Sequence, residues 1–194
     1  RRRGLRACGF KPVAAGCERS AAGLRNADAL ALLAESAPGL AYEEINPVAL
    51  EEPIAPHLAA AHSGVRIDAL ALARRYAALA RRHDAVVVEG AGGWRVPLDA
   101  RLGFDDWVAA NGFPVVLVVG LRLGCLNHAL LSAESILRRT ELAGWVANLL
   151  PPEQPCWQDN LEALRERLPA PLWGVVPCGA EIETAADALS GAPW

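Results

Sequence analysis

Apolar and polar positions change period several times along the chain. Arg6 to Ala14 (RACGFKPVA) reads as a short strand, followed by a loop, AGCERSAAG. Asn26 to Ser36 (NADALALLAES) has helical spacing: Leu30, Leu33 and Ala34 share a face, and Asn26 suits an N-cap. Glu44 to Pro56 carries three prolines and is expected to be extended with breaks. HLAAAHSG forms a short helix stopped by Gly64. A longer helix runs from Ile67 to Arg82, with Asp68 near its start. Next come the strand Asp84–Glu89, whose VVV run reads as buried, and the strand Pro114–Gly120. A helix over about Asn127 to Thr140, a strand from Gly144 to Leu150, a helix from Trp157 to Leu168 and a last strand from Leu172 to Pro177 complete the pattern.

Strands apolar on both faces that alternate with helices predict an α/β fold with a parallel sheet covered on both sides. Ligands in such sheets bind at the carboxyl ends of strands. Glu89, Gly120, Asn148 and Pro177 sit at such ends, so they are expected to converge on one rim. No repeat, low-complexity run or linker interrupts the pattern, and residues 1–194 read as one domain.

A hydrophobic content of 53% with 21% charged residues suits a globular core. The net charge of −3 argues against a nucleic-acid partner. The one basic run, Arg1, Arg2, Arg3 and Arg6, reads as a solvated face or helix end. Five cysteines, with no CxxC and no histidine at ligand spacing, read as reduced thiols of a cytoplasmic protein. No apolar run is long enough to span a membrane. The chain has no Met and starts at Arg1, so its beginning is expected to be absent.

Glu89 closes an apolar strand and precedes Gly90, Ala91, Gly92 and Gly93. A strand-end carboxylate needs a cation or donors. It can cap a turn, bind a metal or act as a general base. The small residues let backbone amides approach an anion, and a Mg²⁺ between the anion and Glu89 would reconcile the two charges. Lys11 is the only lysine of the chain. It ends a strand, and Pro12 restricts it to an extended conformation. Its compact ammonium suits phosphate or carbamate oxygens. Asp28 lies in a helix's first turn, where the macrodipole alone favours an acid. It becomes a metal ligand only if that helix end faces the rim. In LRLGCLNHA, free amides at Gly124, Cys125 and Leu126 would form an anion site at a helix start. Cys125 itself reads as a small buried residue. His57, His62, His83 and His128 show no metal or triad spacing.

These motifs resemble the dethiobiotin synthetase family. GFKPVAAGCE, LRNADALAL, NPVALEEPIAPHLAA, VVVEGAGGWRVPLD, DDWV, PVVLVVGLRLGCLNHALL and GWVAN follow the family's order from about Gly9 to Pro177. The resemblance implies a doubly wound P-loop NTPase fold with a mostly parallel sheet, a homodimer, and MgATP-dependent joining of CO₂ to 7,8-diaminopelargonate. It implies that Lys11 stabilises the carbamate and transferring phosphoryl oxygens, and that Asp28 and Glu89 hold Mg²⁺. Gly90, Ala91 and Gly92 would lie beside the phosphates and the diamine, with Ala15 facing substrate. Asn148 would read adenine with Pro177, Cys178 and Gly179, and Glu183 or Glu181 would hold the ribose. Gly124, Cys125 and Asn127 would bind the substrate carboxylate from the partner subunit.

The sequence departs from the family twice. Ala15 stands where the family usually has Ser. No G-x-x-x-x-G-K-[ST] occurs, although the family carries its P-loop before KPV. The chain is therefore expected to be an N-terminally truncated reading frame lacking the first strand, P-loop and first helix, to leave strand edges and apolar faces uncovered, and to be inactive as it stands. Two other classes share parts of the pattern: a regulatory or partitioning P-loop ATPase, and a cobyrinate-synthase-type ATPase domain.

Overall fold

The computed structural model describes residues 4–152 and 154–193. Arg1, Arg2 and Arg3 of the basic run lie outside the described residues, while Arg6 ion-pairs with Asp84. Residues through Asn111 and residues from Gly112 form two compact units.

In chain order the first unit contains β1 (Ala7–Phe10), β2 (Val13–Ala14), β3 (Glu18–Ser20), β4 (Gly23–Arg25), α1 (Ala27–Glu35), α2 (Tyr42–Ile45), β5 (Val48–Ala49), α3 (Pro56–Ser63), α4 (Ala69–Ala80), β6 (Ala85–Val88) and α5 (Phe104–Ala110). β1 and β6 pair in parallel, with Phe10 opposite Val88. Lys11 and Glu89 therefore leave neighbouring strand ends, and Glu89 N donates to Phe10 O at 2.9 Å. The other edge of β1 is covered by the end of α1: Gly9 N donates to Ser36 Oγ at 3.0 Å and Ala37 N to Ala7 O at 2.8 Å. A Cβ on Gly9 would lie 2.6 Å from Leu32 Cβ, so this close approach needs glycine. Phe10, Leu72, Leu79, Leu98 and Trp107 fill the core, with the Phe10 ring tilted against Tyr76 and Trp107.

The second unit contains β7 (Val115–Leu121), α6 (Cys125–Leu137), β8 (Leu142–Leu149), α7 (Trp157–Arg167), β9 (Leu172–Val176) and α8 (Ile182–Ala188). β7, β8 and β9 form one parallel sheet with β8 central. Central β8 buries Trp145, Val146 and Ala147. Cys125, Ala129, Ala133 and Ile136 form the buried stripe of α6 at helical spacing.

The α/β class and the mostly parallel pairing agree with the sequence pattern. Several local expectations do not. The Arg6–Ala14 strand is interrupted after Phe10, because the Lys11 and Pro12 backbone turns toward α2 and leaves β2 to pair with β5. AGCERSAAG is no plain loop: β3 and β4 form an antiparallel hairpin turned at Ala21 and Ala22, and Gly23 opens β4 at φ +100°. Glu44–Pro56 is not extended from its start, since Glu44 and Ile45 end α2, where Glu44 Oε2 accepts from Ala41 N. The inward face of α1 is Ala29, Leu32 and Leu33, not Leu30 and Ala34, because Tyr42, Ile45 and Leu40 pack there. α5 and α8 were not anticipated. The VVV run is not deeply buried either. Among the described residues β6 has one strand neighbour, β1, and Val87 is 51% exposed; Val118 of β7 is 61% exposed.

Candidate active site

The candidate site residues of the first unit gather around Lys11. Lys11 is only 4% exposed, an expensive place for an ammonium without partners. Nζ donates to Glu89 Oε1 at 2.8 Å and to Gly90 O at 3.2 Å, and Asp28 Oδ2 lies 3.1 Å away. The question posed by a carboxylate at the end of β6 thus has a local answer: Glu89 meets Lys11. The two acids are about half exposed, so each reaches solvent while touching the buried cation.

Local structure explains the convergence. The Lys11 backbone is held at both of its polar groups: its N–H donates to Ile45 O at 2.8 Å, and its carbonyl accepts from Asn46 Nδ2 at 2.7 Å. Asp28 is carried by the first turn of α1, whose N-cap is Asn26, with Oδ1 accepting from Ala29 N at 3.2 Å. That helix end faces Lys11, which keeps Asp28 a candidate metal ligand. Gly90 leaves room for a ring: a Cβ there would meet Phe104 Cε1 at 2.9 Å. Gly92, at φ +88°, takes a left-handed turn suited to glycine.

A cavity of about 260 Å³ opens beside this cluster, lined by Lys11, Ala15, Asp28, Ala91 and Gly92 among others. Five residues marked in the sequence therefore face one space. Asp28 and Glu89 also fit a hard divalent cation. Each gives Lys11 one oxygen and retains acceptor capacity. No group of three His, Cys, Asp or Glu residues suited to a metal occurs among the described residues. The pair matches a Mg²⁺ held by one or two carboxylates and completed by water and substrate phosphates.

The remaining marked residues lie in the second unit. Gly120, Asn148 and Val176 stand in register on adjacent strands, so Asn148 and Pro177 occupy neighbouring carboxyl ends. Pro177 to Ala180 form a turn, with Ala180 N bonded to Pro177 O and Gly179 at φ +66°. Cys178 is exposed in that turn; Glu181 stands at the N-cap position of α8, without a side-chain capping bond, and Glu183 lies in its first turn. At the start of α6, Gly124 takes φ +93° and Asn127 is exposed. The expected free amide at Cys125 needs correction: it donates to Arg122 O at 2.9 Å, closing the turn into the helix. Cys125 is buried, as its size suggested.

Sequence reasoning passed over Tyr42 and Asn46, whose side chains bind the framework of this site. The signal was present in INPVAL: an amide side chain flanked by apolar residues has to find buried partners. His62 and His83 serve locally, with His62 beside Glu52 and His83 Nδ1 at 2.8 Å from Leu79 O.

An AAA domain family model matches residues 3–186. The ATP-dependent dethiobiotin synthetase BioD of Pseudomonas paraeruginosa is 55% identical over 190 residues, which cover 95% of this chain and 82% of that protein. The protein of the same name from Cellvibrio japonicus is 51% identical over 178 residues, 91% of this chain and 78% of the relative. That of Xanthomonas oryzae pv. oryzae is 48% identical over 189 residues, 97% and 84% respectively.

Proposed function

The chain belongs to the ATP-dependent dethiobiotin synthetase family, and from that premise we propose that its Lys11 site joins CO₂ to 7,8-diaminopelargonate and closes a ureido ring. One amine of the diamine attacks CO₂ and, after losing a proton, forms a carbamate. A carbamate oxygen attacks the γ-phosphorus of ATP, and ADP leaves. The second amine then attacks the carbonyl carbon of the mixed anhydride; phosphate leaves and the ring closes. Holding the reactants in line and neutralising their charge is most of the work.

The observation that carries this reading is Lys11, buried between Asp28 and Glu89 at the wall of a cavity lined by Ala15, Ala91 and Gly92. An ammonium has three N–H donors, and Glu89, Gly90 and Asp28 occupy the space around all three. An incoming oxyanion takes the place of one of these acceptors. The exposed Asp28 carboxylate is the easiest to exchange. Lys11 then places positive charge on the carbamate and phosphoryl oxygens without leaving its buried seat. Asp28 and Glu89 would hold the Mg²⁺ that accompanies ATP, which supplies further positive charge at the phosphates. Ala15 offers no hydroxyl, so substrate near it is held by backbone or water.

The same reading gives adenine to Asn148, with Pro177, Cys178 and Gly179 beside it, and the ribose to Glu183 or Glu181. The aligned strand ends in the second unit support this. The substrate carboxylate goes to Gly124 and Asn127 of a partner subunit in a homodimer, with Cys125 buried beside them. Gly124 and the exposed Asn127 at the start of α6 support that assignment; the Cys125 amide contributes nothing. Five unpaired cysteines suit the cytoplasm. Among the described residues no helix is long and apolar enough to cross a membrane.

The 194 residues hold no G-x-x-x-x-G-K-[ST]. The assay therefore compares the chain alone with the chain joined, upstream of Arg1, to the P-loop segment of the Pseudomonas paraeruginosa relative. Dethiobiotin formation from diamine, labelled bicarbonate and ATP is expected from the joined protein and not from the 194 residues alone. ATP hydrolysis by the joined protein that is indifferent to the diamine would replace this reading with that of a regulatory ATPase.

A further inference from the structure

Lys11 and Asp28 reach each other from opposite directions. Lys11 leaves the end of β1, and Asp28 stands on the first turn of α1. Their side chains meet at 3.1 Å, yet nothing in that contact fixes where the two backbones stand. A second connection runs behind them. Asn46, 2% exposed, donates from Nδ2 to the Lys11 carbonyl at 2.7 Å and also reaches Val48 O at 3.3 Å. Its Oδ1 accepts from the Tyr42 hydroxyl at 3.0 Å. That hydroxyl accepts from the Asn26 backbone N–H at 2.8 Å. Asn26 caps α1 two residues before Asp28.

The bonds close a ring: Lys11 ammonium, Asp28, the first turn of α1, Asn26, Tyr42, Asn46 and back to the Lys11 carbonyl. The Tyr42 oxygen donates once and accepts once, and the Asn46 amide spends its oxygen on Tyr42 and its nitrogen on two carbonyls. Tyr42 is held further by Arg25, whose guanidinium carbon lies 4.1 Å from the ring centre. Buried and satisfied networks of this kind specify one geometry, because any slip strands a polar group away from water.

We propose that Tyr42 and Asn46 are positioning residues, a buried relay that sets the Lys11 backbone against the N-terminus of α1 and so fixes the distance between the Lys11 ammonium and Asp28. Neither touches the reacting atoms; both act through Lys11 and Asp28. The consequence for catalysis rests on the reading of Lys11 and Asp28 given above. The relay itself does not, and the two are tested separately.

Lys11 is the only lysine, so lysine labelled at the side-chain carbon and nitrogen gives one Lys11 signal in the 194-residue chain. Tyr42→Phe deletes the hydroxyl and cuts the link to Asn26. Asn46→Asp keeps the shape but replaces the donor to the Lys11 carbonyl with an acceptor. Leu79→Val, a core change in α4 outside the ring, controls for general loosening. Each relay variant is expected to move or broaden the Lys11 signal beyond its line width, while Leu79→Val leaves it in place. If one relay variant fails to fold, the other carries the test. An unchanged Lys11 signal in a folded relay variant overturns the relay, as does an equal change in Leu79→Val. In the P-loop-joined protein the relay variants are expected to lower kcat on the order of tenfold, with KM for ATP within about threefold, as for a small misplacement of a reacting group. An unchanged kcat alongside a moved Lys11 signal overturns the positioning role. Turnover that survives Lys11→Ala overturns the functional reading and leaves the spectroscopic test of the relay intact.

Discussion

Gly90 joins two roles that a side chain would set against each other. Its carbonyl accepts from Lys11, and its Cα faces the Phe104 ring so closely that a Cβ would sit 2.9 Å from a ring carbon. Gly90→Ala therefore pushes the loop off α5 and withdraws the carbonyl from Lys11. In the P-loop-joined protein we expect a loss of turnover on the order of tenfold or more, by analogy with other small displacements at reacting centres. A second residue-scale expectation concerns Asp68, the N-cap of α4. The Ala71 N–H, helped by the Leu70 N–H against some desolvation, holds its carboxyl below the ordinary value. A depressed folded-state value stabilises the protein at pH above the unfolded value, and that contribution is lost as pH falls through the folded one. Asp68→Ala should lower the melting temperature at neutral pH. The gap to the parent chain should close as the pH is taken below about 4, where aspartate in an unfolded chain protonates.

At the scale of elements, the contact between β1 and α1 decides whether Lys11 and Asp28 can meet. Gly9 carries that contact, since a Cβ there would overlap Leu32. Gly9→Ala is expected to cost about 1–3 kcal/mol, the usual range for overpacking, read by chemical denaturation. It should also shift the Lys11 signal, because α1 has to move away. Much of the element order was legible in the sequence: α1, α3, α4, α6 and α7 and the strands β6 to β9 fall where period and caps place them, within a few residues at each end. Less legible were α2, α5, α8 and the β3–β4 hairpin. Each is short, and an element of three to seven residues shows too little of its period to stand out. The inward face of α1 was not legible for a different reason. Leu30 and Ala34 are as apolar as its buried residues, and only the position of Tyr42 and Ile45 selects Ala29, Leu32 and Leu33.

For the whole molecule, the exposed apolar positions on β6 and β7 matter most. Val87 and Val118 lie mid-strand, each on a strand with one hydrogen-bonded neighbour among the described residues. Unpaired edges of this composition template further pairing. The 194-residue chain is expected to show concentration-dependent light scattering. Val87→Lys with Val118→Lys should reduce it, as edge lysines do in natural sheets. Equal scattering by parent and variant would locate the association elsewhere.

The sequence by itself determined the α/β class, the family, and the residue types that meet at Lys11: one lysine, two acids and a glycine-rich turn. The class and the residue types follow from local periods and spacings, and the family from the resemblance of several motifs in one order. The tertiary structure alone decided who meets whom. Glu89 and Lys11 are 78 positions apart and touch because β1 and β6 pair in one register. A shift by one residue would send their side chains to opposite faces. Asn46 and Tyr42 became part of the site for the same reason: a hydrogen-bond partner depends on the packing of segments far apart in the chain, and no local period records it. The Cys125 amide shows the converse, since a turn of four residues consumed a donor that the helix rule alone left open.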